Sequence, residues 1–181
     1  MSQVEAVASR EFPVVIRHAE PSDVAVVSET WLESYRNDSP WAHRLTDRVF
    51  FAHHQPAVAE LLSRSCALVA CDPQDERVVY GAVVWEPLTP EGPALHWVYV
   101  RKALRRFGIA RRLLAATDLP PDLAGVNVTH PTYSWYATRR LGPGGEVVRA
   151  GRSGLEELFP RAVVNFYLGL GVPSRDALEV P

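Results

Sequence analysis

Between Leu95 and Leu114 the chain reads LHWVYVRKALRRFGIARRLL, and its charge is all of one sign. Arg101, Lys102, Arg105, Arg106, Arg111 and Arg112 surround Gly108, with no Asp or Glu from Leu95 to Thr117. An apolar run, Leu95 to Val100, leads in. A helical stripe, Ile109, Ala110, Leu113 and Leu114, leads out. The start of a helix leaves backbone N–H groups unpaired at the positive end of its dipole, and a glycine lets an anion come close to the backbone. A helix end gains only about 0.3–1 kcal/mol per exposed charge, so several amides and arginines must act together. That suits a multiply charged group such as a pyrophosphate. Two common phosphate loops are absent: there is no G-x-x-x-x-G-K-[ST], and no G-x-G-x-x-G after a strand.

The elements that must position this stretch can be read from hydrophobic period and turn signals. FPVVIRHAE (12–20) predicts a first strand, closed by Pro21, and SDVAVVSETWLESY (22–35) a helix capped by Ser22 or Asp23. Leu45 to Arg64 predicts a second helix, broken or restarted at Pro56. ALVAC and RVVYGAVVWEP, joined by DPQDE, predict an antiparallel hairpin, and EGPALHWVYV a fourth strand. VNVTH (126–130) predicts a short fifth strand and PTYSWYATRR (131–140) a helix begun by Pro131. LGPGGEVV is a turn, GRSGLEELFP a further helical piece, and AVVNFYLGL (162–170) the last strand. No repeat or linker interrupts the chain, so one α/β domain over 1–181 is expected, with its core at about 14–170 and a mixed sheet covered by helices.

Bulk composition bounds the partners. At 181 residues and 47% hydrophobic the chain can bury a sizeable core, and a net charge of −2 argues against nucleic acid or an anionic membrane as the general partner. No run approaches a membrane span and no signal peptide is evident. The two cysteines, Cys66 and Cys71, fall on opposite faces of a strand and fit a reduced, cytoplasmic setting. His53-His54 lacks a HExxH pattern, so no metal is expected; His18 and His130 follow strands, where loop or surface roles are commonest.

Arg105-Arg106-Phe107-Gly108-Ile109-Ala110 resembles R/Q-x-x-G-x-G/A, the pyrophosphate-binding pattern of the GNAT superfamily of acyl-CoA-dependent N-acetyltransferases. LHWVYV before it, RRLLAAT after it, the strand order and IRHAEPSDVAVVSETWLESY are similar to that family as well, clearly over about 14–140. The resemblance implies a mostly antiparallel mixed sheet of about six to seven strands, splayed between the fourth and fifth. It implies acetyl-CoA or another acyl-CoA as cosubstrate. Amides from Arg106 through Phe107, Gly108, Ile109 and Ala110 to Arg111 would take the pyrophosphate. Main-chain groups of Val98, Tyr99 and Val100 would pair with the pantetheine arm, and Arg101, Lys102, Arg105 or Arg111 would reach the 3′-phosphate. A monomer or homodimer is in keeping with the family.

The implied reaction is attack of an amine on a thioester. It needs a neutral amine, an oxyanion donor, for which the Val98 amide is a candidate, and an acid for the thiolate. Relatives often carry a Glu where this chain has Ala94. His96, two residues on, is the leading base candidate, with Glu86 the weaker one. The family's acid pattern after the fifth strand puts Thr132, Trp135 and Arg139 at its Asn, Ala and Tyr, so Tyr136 and, a turn earlier, Tyr133 are the acid candidates. Trp41 and the segment around it would border the acceptor pocket. The acceptor, an amine on a small molecule or protein, is not specified. A GNAT-like module that binds acyl-CoA or a partner without catalysis is the second reading, and a nucleic-acid-binding domain the third.

Overall fold

The computed structural model describes residues 12–39 and 42–130, together with three short main-chain strands at 139–141, 147–149 and 163–164. Its elements run β1 Val15–His18, α1 Val24–Asp38, α2 Asp47–Arg64, β2 Cys66–Cys71, β3 Val79–Glu86, β4 Ala94–Val100, α3 Ile109–Ala115, β5 Asn127–Val128, β6 Arg139–Leu141, β7 Val147–Arg149 and β8 Val163–Val164. Six strands form one sheet in the order β1-β2-β3-β4-β5-β8. The first four pair antiparallel, while β4–β5 and β5–β8 are parallel.

Alternation along the strands builds a core on each side of this sheet. Leu68, Ala70, Val83, Trp85 and Leu95 face Ile109 and Leu113 of α3. Val69, Cys71, Ala82, Val84 and Trp97 face Val27, Trp31 and Tyr35 of α1 and Phe50, Val58 and Leu61 of α2. Two bulges shift this alternation. In β2–β3, Ala70 opposes Gly81 and Cys71 opposes Val79, leaving Tyr80 extra. In β3–β4, Trp85 opposes Leu95 and Val84 opposes Trp97, leaving His96 extra. Beside the first bulge, on its β4 side, β3 comes so close that a Cβ on Gly81 would lie 2.5 Å from the Tyr99 carbonyl oxygen.

Three expectations change. α2 runs unbroken through Pro56, which is exposed, while Phe50, Val58 and Leu61 on its other side are buried; packing of that face outweighs the lost hydrogen bond. Asp23 does not cap α1 with its side chain; the carboxylate turns back to the Glu20 amide at 2.8 Å and to Arg17. The helix expected over 131–140 does not reach its end: Arg139–Leu141 is a strand paired with Val147–Arg149, and the glycine- and proline-rich segment 142–146 joins the two. The earlier part of that expected helix and the helical piece expected over 151–160 lie outside the described residues. The last strand is seen at Val163–Val164. Cys66 is exposed and Cys71 buried, both unpaired. Among the described residues no helix is long and apolar enough to cross a membrane.

Candidate active site

β4 and β5 form a fork. They pair only at Ala94–Asn127 and Leu95–Val128, and the last main-chain bond runs from the Thr129 amide to the Leu95 carbonyl at 3.2 Å. Beyond that point no described strand lies on the β5 side of β4. Arg101 donates its amide to Tyr80 on the β3 side. Alternation therefore turns the amides of Val98 and Val100 the other way, into the open side of the fork. The Val100 carbonyl, on the same side, accepts from Arg105 Nε at 3.1 Å.

Past the fork the basic segment folds as a 3-10 turn, Lys102–Leu104, then a tight loop into α3. Arg106 and Gly108 both take left-handed backbone, φ 73° and 77°. Nothing lies within 4 Å of a Cβ added at Gly108, so glycine is needed there for its conformation and not for space. The amides of Ile109, Ala110 and Arg111 open the helix and find no acceptor among the described residues. The cationic side chains divide into two sets. Arg112 is spent on structure, its guanidinium donating to the carbonyls of Phe12 and Val14. Arg105 is held by Val100 and lies over the Tyr99 ring. Arg101, Lys102, Arg106 and Arg111 are exposed. Phe107 is exposed and tilts against Phe12, while Ile109 is buried in the core, so only its backbone can meet a ligand.

At the base of the fork the helix-covered face of the sheet carries a buried polar chain. His96, projected by the β4 bulge, is fully buried. Its Nε2 lies 2.9 Å from Glu86 Oε1 and its Nδ1 3.0 Å from Thr129 Oγ1. Thr129 Oγ1 in turn lies 2.8 Å from His130 Nδ1. Glu86 also meets Arg64, at the end of α2, at 3.4 Å. Ala94 stands directly opposite Glu86, so β3 brings a carboxylate level with the start of β4.

A carboxylate only accepts hydrogen bonds, and this orders the protons. His96 Nε2–H donates to Glu86, so His96 Nδ1 accepts from the Thr129 hydroxyl. Thr129 Oγ1 then accepts from His130 Nδ1–H, which leaves His130 Nε2 with its lone pair and no partner among the described residues. Burial lowers the pKa of His96, opposed by its hydrogen bond to Glu86. Burial also pushes His130 down to about 3, with His96 and His54 adding to the effect.

His130 was expected at a loop or surface and is instead buried, its ring edge-on to Trp31 at 5.1 Å and to Tyr35 at 4.8 Å. Burial lowers the pKa of His54, which stacks on Phe50 and donates from Nδ1 to the Phe50 carbonyl. Trp31 and Trp97 stack at 5.5 Å, and Trp97 Nε1 donates to Ser34. Thr129 and Arg64 were not singled out in the sequence, and His130 was given no part in the site. The signal for Thr129 and His130 was the register: once NVT is laid parallel to ALH, the two fall level with His96 and Trp97. The acid candidates Tyr133 and Tyr136, and Thr132, Trp135 and Trp41, lie outside the described residues, and of Arg139 only the backbone is described. A cleft of about 140 Å³ opens elsewhere, between α1 and β3–β4, lined by Thr30, Glu33, Tyr99 and Arg101 among others; neither His96 nor His130 lines it.

No protein-family model matches this chain, and no curated protein sequence matches it. Solved structures do. An acetyltransferase of the GNAT family from Staphylococcus aureus is 18% identical with a TM-score of 0.42, over 57% of this chain and 62% of that one. A protein described as histone acetyltransferase HPA2 and related acetyltransferase, from Corynebacterium glutamicum, is 18% identical with a TM-score of 0.44, over 57% and 69%. A GNAT family N-acetyltransferase from Escherichia coli, in complex with CoA, is 20% identical with a TM-score of 0.38, over 56% and 52%. The matches take in little over half of this chain and between 52% and 69% of each solved one. Many of the solved structures to which the chain is similar are thus described as GNAT-family N-acetyltransferases; the roles of its residues rest on its own geometry.

Proposed function

We propose that the chain is an acyl-CoA-dependent N-acyltransferase that moves an acetyl group from acetyl-CoA to a primary amine. The observation that carries this reading is the fork. A strand edge with outward amides at Val98 and Val100 lies between a basic loop and a buried histidine–carboxylate pair. An amide-bearing arm can add to that edge as a strand would. The amides at the start of α3, with Arg101, Lys102, Arg106 and Arg111 around them, suit the phosphates at the other end of such a molecule. The residues present therefore fit acyl-CoA.

Within the fork the chemistry divides by residue. The Val98 amide points to where the thioester oxygen gains charge during attack. His96, backed by Glu86, is where the proton removed from the amine comes to rest. Tyr136, with Tyr133 as the second candidate, supplies the proton that the thiolate carries away. Holding amine and thioester side by side replaces a bimolecular encounter and supplies much of the rate.

Calorimetry with acetyl-CoA tests the reading. Micromolar binding by the wild type is expected, and its loss in Gly108→Asp, which strains the left-handed position and puts a carboxylate beside the phosphates. A screen of thiol release across primary amines then identifies the acceptor, with Tyr136→Phe expected to slow turnover and leave acetyl-CoA binding intact. A wild type that does not bind acetyl-CoA would refute the assignment.

A further inference from the structure

His96 cannot itself touch a substrate: it is fully buried and both ring nitrogens are engaged. A proton can reach it only through a partner, and one of its two partners is Thr129, bonded in turn to His130, whose Nε2 has no partner among the described residues. We propose that His130 is the catalytic base that meets the acceptor ammonium, and that it works by relay through Thr129 to His96 without holding charge itself. This rests on the acyltransferase reading and deepens it.

The transfer balances atom by atom. His130 Nε2 takes a proton from the ammonium, leaving a neutral amine. His130 Nδ1–H passes to Thr129 Oγ1, and the Thr129 hydroxyl proton passes to His96 Nδ1. His130 ends neutral in its other tautomer. The positive charge rests on His96, whose Nε2–H already points at Glu86. The amine then attacks, and the N–H proton it sheds on forming the amide leaves with the thiolate through the acid. When the products depart, the proton stored on His96 returns along the same three groups to solvent.

The surroundings explain why the charge moves on. Among the described residues His130 sits against Trp31 and Tyr35 of α1, and the charges that act on it are those of His96 of β4 and His54 of α2, neither an anion. His96 faces Glu86 of β3, which is also paired with Arg64 of α2. A cation is therefore disfavoured at His130 with nothing described to oppose it, whereas one step inward a carboxylate at hydrogen-bond distance opposes the effect of burial. Thr129 fits the middle place because a hydroxyl donates and accepts at once.

Two measurements on the full chain test the relay. Imidazole ¹⁵N NMR of the wild type is expected to show His96 as the Nε2–H tautomer and His130 as the Nδ1–H tautomer. On acidification the first proton of the pair should appear on His96. Opposite tautomers, or first protonation on His130, overturn the relay. The second measurement follows thiol release from acetyl-CoA with a panel of polyamines, amino acids and lysine peptides. With the amine that is turned over fastest, Thr129→Val and His130→Gln are each expected to lose about 100-fold in kcat/KM at pH 7, the lower end of general-base effects, while Thr129→Ser keeps most of the rate. The deficit of Thr129→Val should shrink as pH rises toward the amine's own pKa, where neutral amine exists without a base. Equal rates for Thr129→Val and Thr129→Ser at all pH, with acetyl-CoA binding intact in both, overturn it as well. Failure of the wild type to bind acetyl-CoA instead overturns the acyltransferase reading, a result the tautomer pattern does not produce.

Discussion

Asp23 carries a charge into a nearly dry position, with 6% of its side chain exposed. Arg17 donates to both carboxylate oxygens, at 2.6 and 3.2 Å, and the Glu20 amide adds a third bond at 2.8 Å. The Arg17 hydrogen bonds hold the Asp23 pKa below its ordinary value against the opposing effect of burial, with the Glu20 amide assisting. A carboxylate whose pKa falls on folding stabilises the fold above its unfolded pKa of about 3.9 and loses that contribution as pH drops through the folded value. Asp23→Asn is expected to cost about 1.5–3 kcal/mol at pH 7, the worth of hydrogen bonds to a charged group. Urea unfolding from pH 7 to pH 2 should show the gap from wild type closing at the acid end; a gap that stays constant would remove the ionic explanation. At this same scale the candidate site was only half legible. His96 stood out by type and strand position. Glu86 looked secondary until register placed it opposite Ala94, and His130 looked peripheral because nothing local shows that a strand end is covered by α1.

Elements were read best where one face is simply apolar. α1, α2 and β1 to β4 follow period and turn chemistry closely, and the charge-free approach to the basic loop marked the β4–α3 junction. What period could not show was the cost a tertiary contact can overcome. Pro56 looked like a break because it removes a helical hydrogen bond, yet α2 continues through it with Phe50, Val58 and Leu61 buried. Since Pro56 faces solvent, Pro56→Ala restores the bond without disturbing the packed face. It is expected to raise stability by about 1–3 kcal/mol, bounded above by the helix-interior penalty of proline. A thermal melt should show a Tm several degrees higher; an unchanged or lower Tm would mean that the helix already compensates at that turn. The strand pair 139–141 and 147–149 went unseen because Pro131 suggested a helix start, and the glycines that follow mark a turn without saying what precedes it.

Across the whole molecule, one sheet separates two cores of different use. The described buried residues packed on α3 are aliphatic and aromatic, while the α1–α2 side admits the Arg64–Glu86–His96–Thr129–His130 chain, besides Ser34, into a mainly apolar layer. A ligand that spans β4 and the start of α3 joins the middle of the sheet to its most exposed charge. Acetyl-CoA at 100 times its Kd is expected to stabilise the folded chain by about 2.7 kcal/mol. The matching rise in Tm should vanish in Gly108→Asp and persist in Thr129→Val, which separates the anchoring end of the molecule from its proton chemistry. A shift retained in Gly108→Asp would place the anchor elsewhere.

The bulge at His96 also sets a rule of whole numbers for β4. Leu95 serves the α3 layer, Trp97 and Tyr99 the α1–α2 layer, and Val98 and Val100 the α3 layer again, because one residue is left over between Leu95 and Trp97. Removing any one residue between Pro93 and Arg101 other than His96 would scarcely shorten the strand. It would exchange inside for outside along the part beyond the deletion, sending the Trp97 or Tyr99 ring toward α3 and valines toward α1. Natural variation in chain length should therefore collect in the turns at 72–78 and 87–93. The segment from Pro93 to Arg101 behaves as a fixed count, as a reading frame does, tolerating changes of letter far better than a change of number.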